Sequence, residues 1–339
     1  MKRYFVTGAQ GFVGRYLISS ILESQNDAAV LGIGRSPWRN DTFTHCVRWA
    51  GTLVPAPLPP RLSIKSRRYE YVVMNVHRRE DIAALLQDFQ PDVVVHLASG
   101  LRDDPISSLL ATNVQGTIDL LDAVSEIKER VGKIILASTG GVYGVPDKLP
   151  IDEQAACNPI DPYSRTKLAA EHASRILAQQ YSLPVIWARL FNLAGPGQDE
   201  RHVCGRFGSQ AAAILERHTP AVLEVESLDT TRDFIDVRDA ASALISICER
   251  GVPSSIYNVG SGNETSIETI LDMTLEAARL RNQVTLRSKS RRIVDVPRHA
   301  ASIEGLRSLG FQCRYTLDHT VRDVLDYYRT CVRRSLSCQ

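Results

Sequence analysis

Several things are missing from this 339-residue chain, and each absence narrows what it can be. No apolar run approaches the length of a bilayer span, so no membrane association is expected. Lysine and arginine number 40 against 38 acidic residues, a formal charge of +2, so nucleic acid is not an expected partner. Small basic clusters at Arg67-Arg68, Arg78-Arg79 and Arg291-Arg292 read as solvated faces. The 7 cysteines include no CxxC pair, and the nearest two are Cys331 and Cys338. That odd, scattered set, with no signal-peptide pattern ahead of the first glycines, reads as free thiols in a reducing cytoplasm. The 8 histidines show no ligand spacing, and no metal site is expected. Internal repeats and low-complexity segments are also lacking.

What is present starts at the first residues. Arg3 to Leu17 read RYFVTGAQGFVGRYL. The apolar run Tyr4-Phe5-Val6 enters Gly8, Gly11 and Gly14, and an apolar helical pattern follows at Val13, Leu17, Ile18, Ile21 and Leu22. Strand, glycine turn and helix are the context in which such glycines bind a dinucleotide. Glycine lets the backbone approach a pyrophosphate, and the helix N-terminus offers free N–H groups and a positive dipole end. Gly8, Gln10, Gly11, Phe12, Val13 and Gly14 are therefore the first cofactor candidates.

Strand-like runs recur at Arg3–Thr7, Ala29–Ile33, Tyr71–Val76, Val93–Ala98, Lys133–Ser138 and Val185–Leu190, separated by helical patterns. This alternation predicts a Rossmann-type doubly wound parallel sheet, an α/β fold, with ligands at the carboxyl ends of the strands. The stretch Ser36–Arg68, with VPAPLPPRL inside it, is long for a connection and reads as an exposed excursion or hairpin. After Asn192 the rhythm weakens, and an isolated strand is expected at Ala221–Val225. The predicted organisation is a dinucleotide-binding domain over 1–190, rejoined by about 236–262 through a strand at Ser255–Val259. A smaller mixed α/β C-terminal substrate lobe occupies 191–235 and 263–330.

Tyr163 and Lys167 stand in YSRTK, one helical turn apart and so on one face. An ammonium there favours the phenolate, and the spacing predicts a Tyr pKa below the usual value of about 10. A tyrosine so placed can act as general acid or base. The strand before it ends in Ser138-Thr139, which puts a hydroxyl at the carboxyl edge of the sheet. The second strand ends Gly32-Ile33-Gly34-Arg35. An acidic residue there binds the ribose 2′-OH of NAD, whereas an arginine accommodates a 2′-phosphate. Arg35, with Arg39 in support, favours NADP(H), and NAD(H) stays open as the alternative.

TGAQGFVG, HLAS at His96–Ser99, TNVQGT at Thr112–Thr117, STGGVYG at Ser138–Gly144 and YSRTK occur in that order. Together they resemble the extended short-chain dehydrogenase/reductases, the NAD-dependent epimerase/dehydratase family that acts on nucleotide-activated sugars. The resemblance implies that Tyr163 is the acid/base, that Lys167 holds the nicotinamide ribose, and that Thr139 hydrogen-bonds the reacting oxygen. It places Asn75 and Val76 beside adenine, Leu97, Ala98, Ser99 and Asn113 along the cofactor cleft, and His96 in a buried strand. Tyr143, Asn192, Arg232 and Arg292 fall at substrate positions, with the last three suited to a diphosphate. The 4,6-dehydratases of the family carry an Asp-Glu pair after the Thr; here those positions are Gly140 and Gly141, which argues against that branch. ARLFNLAGPGQ, TTRDFIDVRD and RIVDVPRHAASIEGLRSLGF are most similar to the GDP-4-keto-6-deoxymannose 4-reductases and their relatives. The resemblance thus implies an NADP(H)-dependent reductase of a nucleotide-activated 4-keto-6-deoxysugar, with GDP as the expected nucleotide. The alternative is a nucleotide-sugar 4-epimerase with tightly bound NAD, and a non-catalytic dinucleotide-binding regulator is a third reading that the intact triad opposes. A homodimer is expected through helices at about Ile106–Ile127 and Tyr163–Gln180.

Overall fold

The computed structural model describes residues 1–49, 52–289 and 296–336. The chain enters as β1 (Lys2–Thr7), α1 (Phe12–Ser24) and β2 (Ala28–Gly34), then forms a hairpin of β3 (Thr42–Trp49) and β4 (Thr52–Pro57). It continues through β5 (Tyr69–Val73), α2 (Arg79–Phe89), β6 (Val93–His96), α3 (Ile106–Leu109), a π-helical turn Leu110–Gln115 and α4 (Gly116–Ser125). Next come β7 (Lys133–Thr139), a 3-10 turn Gly140–Tyr143, α5 (Pro162–Tyr181), β8 (Val185–Leu190), β9 (Asn192–Ala194) and α6 (Val203–Leu215). The remainder comprises β10 (Val222–Val225), β11 (Thr231–Asp236), α7 (Val237–Arg250), β12 (Ile256–Val259), β13 (Glu264–Ser266), α8 (Ile267–Ala277), β14 (Thr285–Ser288), β15 (Arg298–His299), α9 (Glu304–Ser308) and α10 (Leu317–Leu336).

Seven parallel strands form the main sheet in the order β12-β8-β7-β6-β1-β2-β5. Tyr4, Phe5 and Val6 are each 0% exposed, as a strand covered on both faces requires. The strand order reverses between β1 and β6, which opens a crevice at their carboxyl ends. The expected fold class is therefore the observed one. β12 returns to the sheet beside β8, with Val259 opposite Leu190. Beyond that sheet, β11 pairs with β9, β13 and β15 to form a small second layer near the carboxyl ends.

Three local expectations change. The strand near Ala221 is not isolated: β10 lies parallel to β14, Leu223 opposite Leu286, an association between residues 63 positions apart that no local pattern announces. The helix expected over Ile106–Ile127 is interrupted by the wide turn Leu110–Gln115. The third main-sheet strand runs Tyr69–Val73, ending before Asn75. The long excursion does contain a hairpin, with Val47 opposite Val54. It is not a free arm. Phe43, Val47, Ala56, Leu58 and Leu62 are buried. The Phe43 ring lies against Gly197, where an added Cβ would come within 2.3 Å of it. His45 Nε2 sits 2.8 Å from the Gly197 carbonyl, and the Tyr327 hydroxyl donates to the Pro57 carbonyl at 2.9 Å. The hairpin thus straps the glycine-loop side of the sheet to the Gly197 loop and to α10. Among the described residues no helix is long and apolar enough to cross a membrane, and Cys46, Cys157, Cys204, Cys248, Cys313 and Cys331 are free thiols.

Candidate active site

The glycine loop closes on itself as its spacing predicts. Gly8 has φ +69, and a Cβ there would meet Ala98 N and Leu97 C at 2.8 Å. Only glycine lets β1 turn so close beneath the end of β6. At Gly14 a Cβ would lie 2.3 Å from the Gly8 carbonyl oxygen, so the first turn of α1 rests directly on the loop. Gly11 caps α1 with no side-chain hydrogen bond. Those first-turn amides suit an anionic group, and the loop fits a dinucleotide pyrophosphate. Phe12 and Val13 are half-buried at this turn.

Gln10 departs from the expectation of a direct cofactor contact. It is 2% exposed and turned inward. Its amide nitrogen donates to the Ser36 and Pro37 carbonyls at 3.3 and 3.0 Å, and its amide oxygen accepts from Arg39 N at 2.9 Å. It holds the stretch after β2 in place. From that stretch Arg35 projects exposed, Arg39 half-buried, and neither side chain makes an ion pair with a described residue. At the next strand end Asn75 is exposed, while Val76 is 5% exposed and packs beneath Gly116.

Leu97, Ala98 and Ser99 line the crevice half-buried. Asn113, 1% exposed, organises them. Its amide oxygen accepts from Ser99 Oγ at 3.0 Å and Gly100 N at 2.9 Å, and its amide nitrogen donates to Thr166 Oγ1 at 2.9 Å. The π-helical turn carries Asn113, and its extra width lets one residue reach both the β6 loop and α5.

α5 is capped by Asp161, whose carboxylate accepts from Ser164 N at 2.9 Å, with Pro162 at the first helical position. That cap aims the first turn, with Tyr163, at the end of β7. There Thr139 caps the 3-10 turn, its hydroxyl accepting from Gly141 N at 3.2 Å. Thr139, Tyr163 and Lys167 are thus gathered at one edge. The expected depression of the Tyr163 pKa is not found. Burial pushes it up, and Ser99 and the charge of Arg102 pull against that. Burial instead pushes Lys167 down to about 8, opposed by the carboxylate of Glu171 one turn on. Both groups are buried, and desolvation disfavours the charged form of each. His96, beside Lys167, is buried neutral between Thr7 Oγ1 at 2.7 Å and Thr117 Oγ1 at 3.2 Å.

On the substrate side, Asn192 is exposed, and its amide donates to the Asp233 carbonyl at 3.2 Å. Arg232 is half-buried, its Nη1 donating to the Thr231 carbonyl at 2.7 Å. Arg292 lies outside the described residues. Tyr143 does not face this space. It is 1% exposed, its hydroxyl donates to Asn258 Oδ1 at 2.7 Å, and its ring lies against Arg189 and Phe191. In this structure it packs the site from behind.

Two participants escaped the sequence reading. His299 reaches from β15 to within 3.1 Å of the Gly140 carbonyl, stacks near Phe191, and is pushed down to about 4 by burial with Arg232 and Arg102 nearby. It sits in the quoted segment PRHAAS, but no spacing marks it. Glu171, 3% exposed, accepts from Arg189 at 3.1 and 2.7 Å and from Ser138 Oγ, forming a buried platform beneath Lys167 and Thr139. The glycine pair that replaces the dehydratase acids is also enclosed. A Cβ at Gly140 would lie 3.0 Å from Phe191, and one at Gly141 2.4 Å from Ser164 Oγ. Among the described residues no group of His, Cys, Asp and Glu could hold a metal ion.

The model of the NAD dependent epimerase/dehydratase family matches residues 4–260. A GDP-6-deoxy-D-mannose reductase of Pseudomonas aeruginosa is 29% identical, over 98% of this chain and 99% of that one. A dTDP-D-glucose 4,6-dehydratase of Bos taurus is 26% identical over 97% of this chain and 89% of that one. UDP-glucose 4-epimerases also stand among the relatives. Of solved structures, RMD from Pseudomonas aeruginosa complexed with NADPH superimposes with a TM-score of 0.77 at 27% identity, over 98% of this chain and 100% of that one.

Proposed function

The chain belongs to the NAD dependent epimerase/dehydratase family of extended short-chain dehydrogenase/reductases, and from that premise we propose that it is an NADP(H)-dependent reductase of a nucleotide-activated 4-keto-6-deoxysugar, GDP-linked. Its relatives are nucleotide-sugar reductases, dehydratases and epimerases. The observation that sets the dehydratases aside is the pair Gly140-Gly141. Elimination of water needs an acid and a base beside the ring, and here the space for both is taken by Phe191, His299 and Ser164. Arg35 and Arg39, which follow β2 and make no ion pair with a described residue, support the phosphorylated cofactor. The P. aeruginosa neighbour, bound to NADPH, supports the same choice.

A bound nicotinamide dinucleotide supplies hydride to the sugar. The protein's residues do the rest. Tyr163, kept protonated by burial, delivers its hydroxyl proton to the C4 oxygen. Thr139 donates a hydrogen bond to that oxygen and polarises the ketone. Lys167 holds the ribose hydroxyls, and Asn113 keeps the Ser99–Gly100 turn against α5. Asn192 and Arg232 receive the diphosphate. The nucleotide-sugar epimerase is the second reading, favoured by the relatives of that activity. The test is to mix protein, NADPH and a GDP-4-keto-6-deoxyhexose and follow nicotinamide absorbance and product together. One NADPH consumed per GDP-6-deoxyhexose formed is the expected result. No net oxidation, with UDP-glucose and UDP-galactose interconverted on catalytic NAD, replaces the reductase with the epimerase.

The protein is read as a cytoplasmic homodimer. Ile106 is 53%, Leu110 48% and Ile176 66% exposed on the two helical stretches expected to pair, and water is a poor neighbour for a cluster of that kind. Sedimentation at micromolar concentration should give a dimer mass, and Ile176→Lys should give a monomer. A wild-type monomer ends this reading.

A further inference from the structure

Arg15 follows the last glycine of the loop and has no accessible surface. Its Nη2 donates to Gln10 Oε1 at 2.7 Å and to the Arg39 carbonyl, while Nε and Nη1 are buried without any hydrogen-bond partner. Among the described residues no carboxylate makes an ion pair with it; its neighbours are the phenols of Tyr69 and Tyr71 and the Trp38 ring, 4.7 Å from the guanidinium. Other shielded arginines of this chain are matched to acids: Arg189 to Glu171, and Arg238 to Asp236 and Asp323. A buried cation without an acid is a standing cost to the fold. An anion brought by a ligand removes part of that cost.

The surroundings show where the anion would arrive. Gln10, held by Arg15, grips the Ser36 and Pro37 carbonyls and the Arg39 amide. The Tyr71 hydroxyl donates to the Ser36 carbonyl at 2.6 Å, and Trp38 packs between Tyr69 and Tyr71 at centroid separations of 5.4 and 5.5 Å. Residues 36–39 are therefore held to the glycine loop and α1 through Gln10 and Arg15, and to β5 through Tyr69 and Tyr71. The side chains of Arg35 and Arg39 leave that clamp with no ion pair to a described residue.

We propose that Arg15 is a specificity-determining positioning residue for a phosphomonoester on the ribose of the adenosine half of the cofactor. It does not touch the ligand, because Trp38 and residues 36–39 close it off. It fixes, through Gln10 and the Arg39 carbonyl, the segment from which Arg35 and Arg39 reach the phosphate, and it adds an unbalanced positive charge beneath them. A free 2′-hydroxyl neutralises none of these three cations, whereas a phosphate dianion offsets them. The inference rests on the NADP(H) reading above, and the experiment separates the two.

Calorimetric titration with 2′,5′-ADP and with 5′-ADP, which differ only in the 2′-phosphate, reads the preference directly. Wild-type protein is expected to bind 2′,5′-ADP more tightly. Arg15→Met, which keeps length and packing but removes charge and fork, should reduce that preference about tenfold, as expected for one charge acting at short range through protein. Affinity for 5′-ADP should hold, and the melting temperature should not fall, since an apolar group in place of an unpaired buried charge is neutral or stabilising. Equal weakening of both ligands, with a lower melting temperature, means a merely structural Arg15 and overturns the inference. Preference retained in Arg15→Met also overturns it, and leaves NADP(H) selection to Arg35 and Arg39 alone. A wild type without preference removes the NADP(H) reading and this inference together. Should Arg15→Met fail to fold, Trp38→Leu, which loosens the clamp from outside, must lower the same preference; if it does not, the proposal fails.

Discussion

Tyr163→Phe should lower turnover by about 10²–10⁴-fold while cofactor affinity stays nearly constant. The substitution removes one oxygen and keeps the ring, so the first turn of α5 and its Asp161 cap remain as they are. On the proposed mechanism, what disappears is the proton for the sugar oxygen. The raised pKa of Tyr163 gives the prediction a direction. A phenol held above its ordinary pKa is fully protonated at neutral pH, the form a reductive step consumes. Turnover of ketone should therefore show no loss from tyrosine ionisation between pH 6 and 9 (roughly the range below its ordinary pKa). Single-turnover rates with NADPH and calorimetric titration of the cofactor separate chemistry from binding. A Tyr163→Phe rate within a few-fold of wild type removes this residue from the proton transfer. Thr139→Val should slow the same step more modestly, because it removes polarisation and leaves the proton in place.

How much of this was legible beforehand divides by sequence distance. The glycine loop, the YSRTK face and the hydroxyl at Thr139 are local signals. The strand runs at Val93 and Ile134 announced a buried parallel sheet because their apolar residues are unbroken. Most of the expectations that changed depend on a partner far along the chain. Tyr143 matches a substrate position in its own motif, yet its hydroxyl is taken by Asn258, 115 residues later. Gln10 sits in the loop that cradles a cofactor, yet turns to backbone groups that the loop alone does not reveal. The Tyr163–Lys167 spacing does put both on one face, but their pKa values follow burial by elements that spacing does not see. The excursion over Ser36–Arg68 was readable as a hairpin from its length and prolines, but its strap to Gly197 was not. His299 had no signal at all, since a lone histidine in a loop becomes informative only once β15 is laid beside β11.

The pair Glu171–Arg189 leads to the second large effect. Its side chains are 3% and 4% exposed and joined by two hydrogen bonds, at 3.1 and 2.7 Å. Removing the cation leaves a carboxylate in a dry place, and such losses cost about 3–5 kcal/mol. Arg189→Met should therefore lower the stability of the whole molecule by that amount in urea unfolding. A loss below about 1 kcal/mol, the worth of an exposed pair, would mean that water reaches the carboxylate and that this platform is not dry. The double variant Glu171→Leu/Arg189→Met should regain most of the loss, because matched apolar groups replace a buried pair at little cost. It should nonetheless not restore the site. Glu171 is the carboxylate that keeps Lys167 from falling further below its pKa of about 8, and it accepts from Ser138 beside Thr139. Without it, burial acts on Lys167 unopposed and the ammonium loses its proton nearer to neutrality. A folded double variant whose cofactor affinity falls steeply as the pH rises between about 6 and 8, at lower pH than the corresponding fall in wild type, is the expected outcome. Unchanged affinity across that range would show that Lys167 keeps its charge by other means, and that Glu171 serves the fold alone.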